Sequence, residues 1–311
     1  MILFFGRPDD SPLARAISAA RDADLRHLVI DQARAARYDL VVGTDALDAR
    51  LTVEGMRVPL GDVSAVYARP LEPPEDGDPA ARARAAAFHE WFVGWLDTTP
   101  AVVVSRPRAM DSNSSKPYQS QLIGRSGFAV PETLVSDDPE EILAFRARHG
   151  RIVYKSASGI RSIVREFTAA DESRLALVRG LPTQFQAYVP GQDVRVHVVG
   201  ADTYAAAVDS DAIDYRYADQ DGRPARLAPL DLPPDIARRC VELAAVLGLP
   251  LAGIDLRRTP DGAWVCFEVN PMPAYSYYEA HTGLPISAAL VAYLDGRRAP
   301  APALATAPPG V

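Results

Sequence analysis

AGIDLRRTPDGAWVCFEVNPMP, running from Ala252 to Pro273, is two β-like runs separated by a turn signal at Pro260, Asp261 and Gly262. With Asp261 and Gly262 as the two turn residues, Asp255 falls opposite Glu268. Ile254 and Leu256 then point away from Asp255 on the first strand, and Val265, Phe267 and Val269 point away from Glu268 and Asn270 on the second. One face is apolar and the other gathers three oxygen ligands. Carboxylates opposed across a strand pair at roughly 5 Å repel unless a cation lies between them. Mg²⁺, which characteristically uses one or two carboxylates plus substrate phosphates, is the simplest such cation. On the hairpin alone, a solvated polar face with Arg257 neutralising the acids is the competing reading.

Upstream residues supply the phosphate side of that argument. Lys155 ends an apolar strand, Ile152 to Lys155, and the small-residue loop SASGIRS follows it, which is how a positive charge meets a phosphate while backbone amides cover it. Without that context it would be a solvated lysine at a strand end. Lys116 opens a helix, KPYQSQLIGRS, that Ser114 or Ser115 can cap and Gly127 stops. A cation in a first turn opposes the helix dipole unless an anion is shared, and a bound phosphate would resolve the conflict. In GQDVRVHVVG, Asp193, Arg195 and His197 share one face and Val194, Val196 and Val198 the other. The polar face suits ribose, phosphate or a carboxylate, with His197 read as hydrogen-bonded to a neighbour. Arg161 and Arg216 are loop arginines able to bind anions, and Arg69 closes a strand in YARP, where open α/β sheets place ligand contacts.

The 311 residues are enough for two domains or three tightly packed lobes, and 48% hydrophobic with 23% charged residues excludes global disorder. A net charge of −7 without a basic stripe argues against a nucleic-acid partner. Cys240 and Cys266 form no CxxC, so neither a disulfide framework nor a cysteine zinc site is indicated, and a reducing cytoplasm is expected. The N-terminal MILFFGRPDD reads as a first strand, not a signal segment. The stretch from Leu284 to Leu294 falls short of a membrane span and reads as an amphipathic closing helix, so no membrane partner is expected. Up to about residue 105 short apolar runs, Leu40 to Val42 among them, alternate with helical patterns in the cadence of an open α/β sheet. The hairpin-like LTVEGMRVPL, turning at Glu54 and Gly55, interrupts it, and no GxGxxG occurs. The expected division is an α/β domain over 1–107, a small lobe over 108–189, a lobe with the metal site over 190–298, and a disordered Ala/Pro tail over 299–311.

Taken in order, Lys116, Lys155 with its loop, QFQAYV, GxDxR and GIDL…FEVNP resemble the ATP-grasp superfamily, and within it the RimK-like glutamate ligases and the maturases of microviridin-type peptides. The resemblance runs from about Lys116 to Leu294. It implies an ATP-grasp fold, α/β plus α+β, in which an N-terminal open α/β (pre-ATP-grasp) domain precedes two lobes clamping ATP. It implies that Lys116 and Lys155 contact phosphates and that Gln186, Ala187, Tyr188 and Val189 receive adenine. Asp193 would lie near the ribose, and Asp255, Glu268 and Asn270 on Mg²⁺. Arg195, Lys155 and Arg216 would be catalytic, Arg216 sitting in a run, Asp214 to Arg216, like the Asp-Trp-Arg of the peptide maturases. The implied reaction joins a carboxylate to an amine through an acyl phosphate, releasing ADP and phosphate. Its partners would be small-molecule or peptide acids and amines, with homodimerisation left open. The alternatives are macrocyclisation of a ribosomal peptide and phosphotransfer to a hydroxyl. Tyr275, Tyr277 and Tyr278 are candidates for the acceptor pocket.

Overall fold

The computed structural model describes residues 1–44, 49–71, 78–156, 164–210 and 225–296, and among these the strands form four sheets. The alternating first third yields β1 (Ile2–Gly6), β2 (His27–Asp31), β6 (Ala65–Ala68) and β7 (Val102–Val104), a parallel sheet in the order β2-β1-β6-β7. Its strands are apolar on both faces because both faces are covered. Helix α1 (Ser11–Asp22) packs Leu13 and Ala16 onto Phe4 and Tyr67, while α2 (Pro79–Thr98) packs Phe88, Phe92 and Trp95 onto Leu3, Phe5 and Val66.

One strand expected in that sheet lies elsewhere. The segment β3 (Asp39–Val41) pairs antiparallel with the hairpin β4 (Arg50–Val53) and β5 (Met56–Pro59) in a separate three-stranded sheet. It is short and mostly exposed, so it lacks the buried run that a central parallel strand needs. The hairpin turns at Glu54 and Gly55 as expected, with φ of 51° and 84°.

A short helix, α3 (Pro107–Met110), leads to α4 (Lys116–Arg125). Next come β8 (Thr133–Ser136), α5 (Pro139–His149), β9 (Ile152–Ser156), β10 (Arg165–Glu166), α6 (Ala169–Glu172) and β11 (Thr183–Ala187), whose strands form an antiparallel sheet ordered β10-β9-β11-β8. Ile152 and Phe185 pack on Phe145 and Phe167 on one side. Lys155 and its register partner Gln184 share the other.

The largest sheet is built from β12 (Gln192–Val199), β13 (Asp202–Asp209), β14 (Arg226–Leu230), β15 (Leu251–Arg258) and β16 (Trp264–Asn270), in the order β14-β13-β12-β15-β16. Helix α7 (Pro234–Val246) covers one face, burying Ile236, Cys240 and Leu243 against Val194, Val196, Ile254 and Leu256. Two helices close the described chain, α8 (Tyr275–Thr282) and α9 (Ile286–Leu294). Helix α9 is not amphipathic as expected: Ile286, Ser287, Ala289, Leu290, Val291, Ala292 and Leu294 are all buried. It shares one core with Phe4 of the parallel sheet and with Val199 and Leu251 of the largest sheet, which fastens the two together. No described helix is long and apolar enough to cross a membrane. The Ala/Pro tail lies outside the described residues.

Candidate active site

Strand register builds the site. Between β12 and β15, Arg195 faces Asp255, Asp193 faces Arg257 and His197 faces Gly253. Between β15 and β16, Asp255 faces Glu268 and Gly253 faces Asn270. Directly paired residues share a face, so Arg195, Asp255 and Glu268 form a row across three strands.

The expected opposition of Asp255 and Glu268 is present, yet the hairpin reaches it by a different route. Gly262 N donates to Thr259 O and Thr259 N to Ala263 O, both at 2.9 Å, so the turn contains Pro260, Asp261 and Gly262. Gly262 has φ 88°, a conformation costly for any side chain. Next to the turn Leu256 therefore faces Cys266 and Arg257 faces Val265. A bulge then takes up Phe267 as an extra residue and restores the pairing of Asp255 with Glu268. The expected face assignment is corrected accordingly. Cys266 joins Val269 in the core, whereas Phe267 turns its ring to Arg257, 5.1 Å from Cζ.

Each acid of the row meets a buried cation. Arg195 Nη1 donates to Asp255 Oδ1 at 2.7 Å. Lys116 Nζ donates to Glu268 Oε1 and, at 2.9 Å, to Asn113 Oδ1. The anion that offsets Lys116 in its first-turn position is thus a carboxylate of the chain itself, where a phosphate was expected. Ser115 occupies the N-cap without a side-chain capping bond. Arg257, expected to neutralise the two acids, instead binds Asp193 through two bonds of 2.8 and 2.9 Å and donates to Val189 O at 2.7 Å. Asn270 Oδ1 accepts from Met272 N at 2.9 Å, which holds the amide in place and leaves that oxygen capacity for a further partner.

Two supporting residues escaped the sequence reading. An alanine Cβ at Gly253 would lie 2.0 Å from Arg195 Nη2 and 2.7 Å from Pro273 Cβ, so glycine there is what lets the guanidinium cross β15 to Asp255. Strand β16 is an edge, and the Gln119 amide covers it. Its Nε2 donates to Val269 O at 2.8 Å and its Oε1 accepts from Val269 N at 3.1 Å, in place of a further strand. The available signal was a glutamine one turn beyond Lys116, on the same face of the helix.

His197 departs from its expected role. It is 0% exposed, neither ring nitrogen has a hydrogen-bond partner among the described residues, and its ring lies 4.9 Å from that of Tyr278. Burial, and secondarily the charge of Arg195, hold its pKa well below the usual histidine range. Tyr278 also lies beneath Arg195, 5.6 Å from Cζ. Tyr275 is buried with its hydroxyl donating to Pro12 O, and Tyr277 is exposed. Arg69 binds the Asp10 carboxylate and donates from Nη1 to Pro273 O at 3.2 Å, tying the parallel sheet to the segment that follows Asn270.

The residues expected on the small lobe stand on a separate sheet. Lys155, Gln184 and Gln186 are buried there on one face. Gln186 Nε2 donates to Thr133 Oγ1, Ala187 N to Glu132 O and Tyr188 N to Arg151 O, at 3.1, 2.9 and 3.0 Å. Through Val189 O, Arg257 and Asp193, the linker is bonded to the same sheet that carries the acids. Arg161, Asp214 and Arg216 lie outside the described residues.

The donor set bears on the expected metal. Among the described residues no group of three His, Cys, Asp or Glu is arranged to hold an ion. Two carboxylates and an amide oxygen on one sheet face remain. They are hard oxygen donors of the kind that Mg²⁺ shares with substrate phosphates and water, so the residues fit the ion.

Comparison with known proteins identifies the family and the fold. Residues 114–294 match the RimK-like ATP-grasp domain. A probable alpha-L-glutamate ligase of Alkalilimnicola ehrlichii is 27% identical over 214 residues, covering 66% of this chain and 68% of that protein. The ATP-grasp ligase PsnB, complexed with a minimal precursor, Mg and ADP, superposes with a TM-score of 0.80 at 26% identity over 95% of this chain and 96% of that one. The macrocyclase MdnC from Microcystis aeruginosa MRC, bound with precursor peptide MdnA, has the same fold, with a TM-score of 0.80 at 23% identity over 95% and 100% of the two chains. The chain has the ATP-grasp fold, belongs to the RimK-like ATP-grasp family and is an enzyme of the ATP-grasp ligase class.

Proposed function

We propose that this chain joins a carboxylate to an amine at the expense of ATP, through an acyl phosphate. The observation that carries the reading is the row Arg195, Asp255, Glu268 with Lys116 at its end: two acids and two cations on one sheet face inside the RimK-like region. Asp255, Glu268 and Asn270 would hold Mg²⁺, which when bound neutralises phosphate charge. Residues 108–189 and 190–298 are the proposed lobes around ATP, behind an N-terminal domain over 1–107. Lys116 and Lys155 would bind phosphates, the linker Gln186 to Val189 the adenine, and Asp193 the ribose.

In the proposed reaction a carboxylate oxygen of the substrate attacks the γ-phosphorus of ATP and ADP leaves. The amine then attacks the acyl carbon, phosphate leaves with the carboxylate oxygen, and the amine proton is lost to solvent. Positioning and charge neutralisation supply most of the rate in such a reaction, without a protein nucleophile. Arg195, with Lys155 and Arg216, would offset the charge developing on the transferred group and on the acyl oxygen.

A peptide substrate is favoured over a free amino acid by one observation. PsnB, whose structure holds a precursor, superposes over 95% of this chain with a TM-score of 0.80, whereas the D-Ala:D-Ser ligase VanG from Enterococcus faecalis superposes over the same share with 0.62. Cross-linking of acidic side chains within a precursor peptide is therefore the second reading. A screen of amino acids and acidic peptides for ADP release, with mass spectrometry of the products, tests both. The expected product has lost the mass of one water per bond formed. A product that has gained a phosphoryl group would establish phosphotransfer instead. Glu268→Gln should abolish ADP release, and full activity in that variant overturns the metal assignment.

A further inference from the structure

We propose that Lys116 and Arg195 act as built-in counter-ions that close the acid pair to free divalent cations and open it only to a metal–nucleotide complex. The inference rests on the ATP-dependent reading above and adds a coupling between its two ligands.

Asp255 and Glu268 face each other across a strand pair, an arrangement that should repel and attract any cation in solution. Here the attraction is already met. Lys116 and Arg195 are 7% and 6% exposed, and each donates to one of the two acids. The four groups carry two positive and two negative charges, so a free divalent ion finds no net negative site and meets two buried cations already bonded to Asp255 Oδ1 and Glu268 Oε1. A polyphosphate changes that balance, because it offers the same ammonium and guanidinium a new anion. As Lys116 and Arg195 turn to phosphate oxygens, the Glu268 and Asp255 oxygens are released on the face that already carries Asn270. The two cations thus swap partners, and nucleotide and metal each strengthen the binding of the other by the same factor. Arg257 does not take part, because it is bonded to Asp193 and Val189 O.

The test is binding of Mn²⁺ without nucleotide, read from the free-ion paramagnetic resonance signal. Lys116→Met should bind Mn²⁺ alone about tenfold more tightly than the unaltered chain, within the usual span of coupling between sites. Arg257→Gln, which removes an equal charge from the same sheet face, should stay within about twofold. Equal affinity in the unaltered chain and Lys116→Met overturns the proposal, as does an equal gain in Arg257→Gln. Glu268→Gln separates this from the underlying reading: an affinity for ADP that Mn²⁺ still raises in that variant, read by calorimetry, refutes the metal site itself. A measurement on the unaltered chain needs no variant to fold. Lys116 and Lys155 are its two lysines, so ε-carbon isotope labelling of lysine reports on both. The Lys116 resonance should move with Mg²⁺ and ADP together and stay in place with millimolar Mg²⁺ alone. Movement with Mg²⁺ alone, or none with both, overturns the exchange.

Discussion

Replacing Gly253 with alanine tests whether Arg195 has to lie where it does. The added Cβ would fall 2.0 Å from Arg195 Nη2, 2.6 Å from its Cζ and 2.7 Å from Pro273 Cβ, so the guanidinium must leave Asp255 or the strand must move. Overpacking of this kind costs about 1–3 kcal/mol. Loss of the charged hydrogen bond to Asp255 adds about 1.5–3 kcal/mol at most, and the stiffer unfolded chain returns about 0.4–1 kcal/mol. A net loss of about 2–5 kcal/mol corresponds to a Tm lower by roughly 5–15 °C. Activity should suffer more than stability. With Arg195 turned away from the reacting groups, ADP release with an accepted substrate should fall about a hundredfold, the scale of removing one transition-state donor. Gly262→Ala is the control, because it strains a positive φ of 88° with nothing within 4 Å of the new Cβ. It should cost about 1–2 kcal/mol and leave turnover unchanged. Unaltered melting and turnover in Gly253→Ala would refute the argument.

Other expectations follow from the same geometry. Gln119→Leu strips Val269 of both bonds on the edge of the acid-bearing strand. At about 1–3 kcal/mol per buried group left unmet, the urea midpoint should drop by an amount equivalent to about 2–6 kcal/mol. Arg257→Ala removes the partner of Asp193 and the bond to Val189 O, so it should weaken nucleotide binding in calorimetry about tenfold while barely changing the affinity for Mn²⁺. His197 has its pKa pushed down in the folded state, so the unfolded chain alone takes up its proton once the pH falls below about 6.5. Stability is then lost toward acid, by about 2 kcal/mol between roughly pH 7 and pH 5. His197→Phe should remove that share of the slope in denaturant titrations at the two pH values, and an unchanged slope counts against a buried neutral imidazole.

Much of this molecule is written locally in its sequence. Strict alternation in GQDVRVHVVG assigns Asp193, Arg195 and His197 to one face, and strand register does the rest. Lys116 and Lys155 stand out in a chain whose other cations are arginines, and both are buried. What could not be read is long-range or irregular. The bulge at Phe267 depends on how a three-residue turn meets the rest of the hairpin, and alternation alone puts Phe267 in the core and Cys266 outside it. Which acid each cation meets depends on strand order: β12 lies beside β15, so Arg195 reaches Asp255 while Arg257 is drawn to Asp193. Helix α9 reads as amphipathic because its burial comes from two sheets far apart in the chain. His197 on a polar face suggested a hydrogen bond, and only the packing of α8 shows the ring to be covered.

The central claim is that a substrate carboxylate is activated by phosphorylation at the Arg195–Asp255–Glu268 row. The measurement that tests it most directly uses an accepted acid whose carboxylate carries heavy oxygen, with mass analysis of the phosphate released alongside ADP. An acyl phosphate predicts one labelled oxygen in each phosphate formed, in step with amide product. Unlabelled phosphate, or label appearing in AMP, would contradict it.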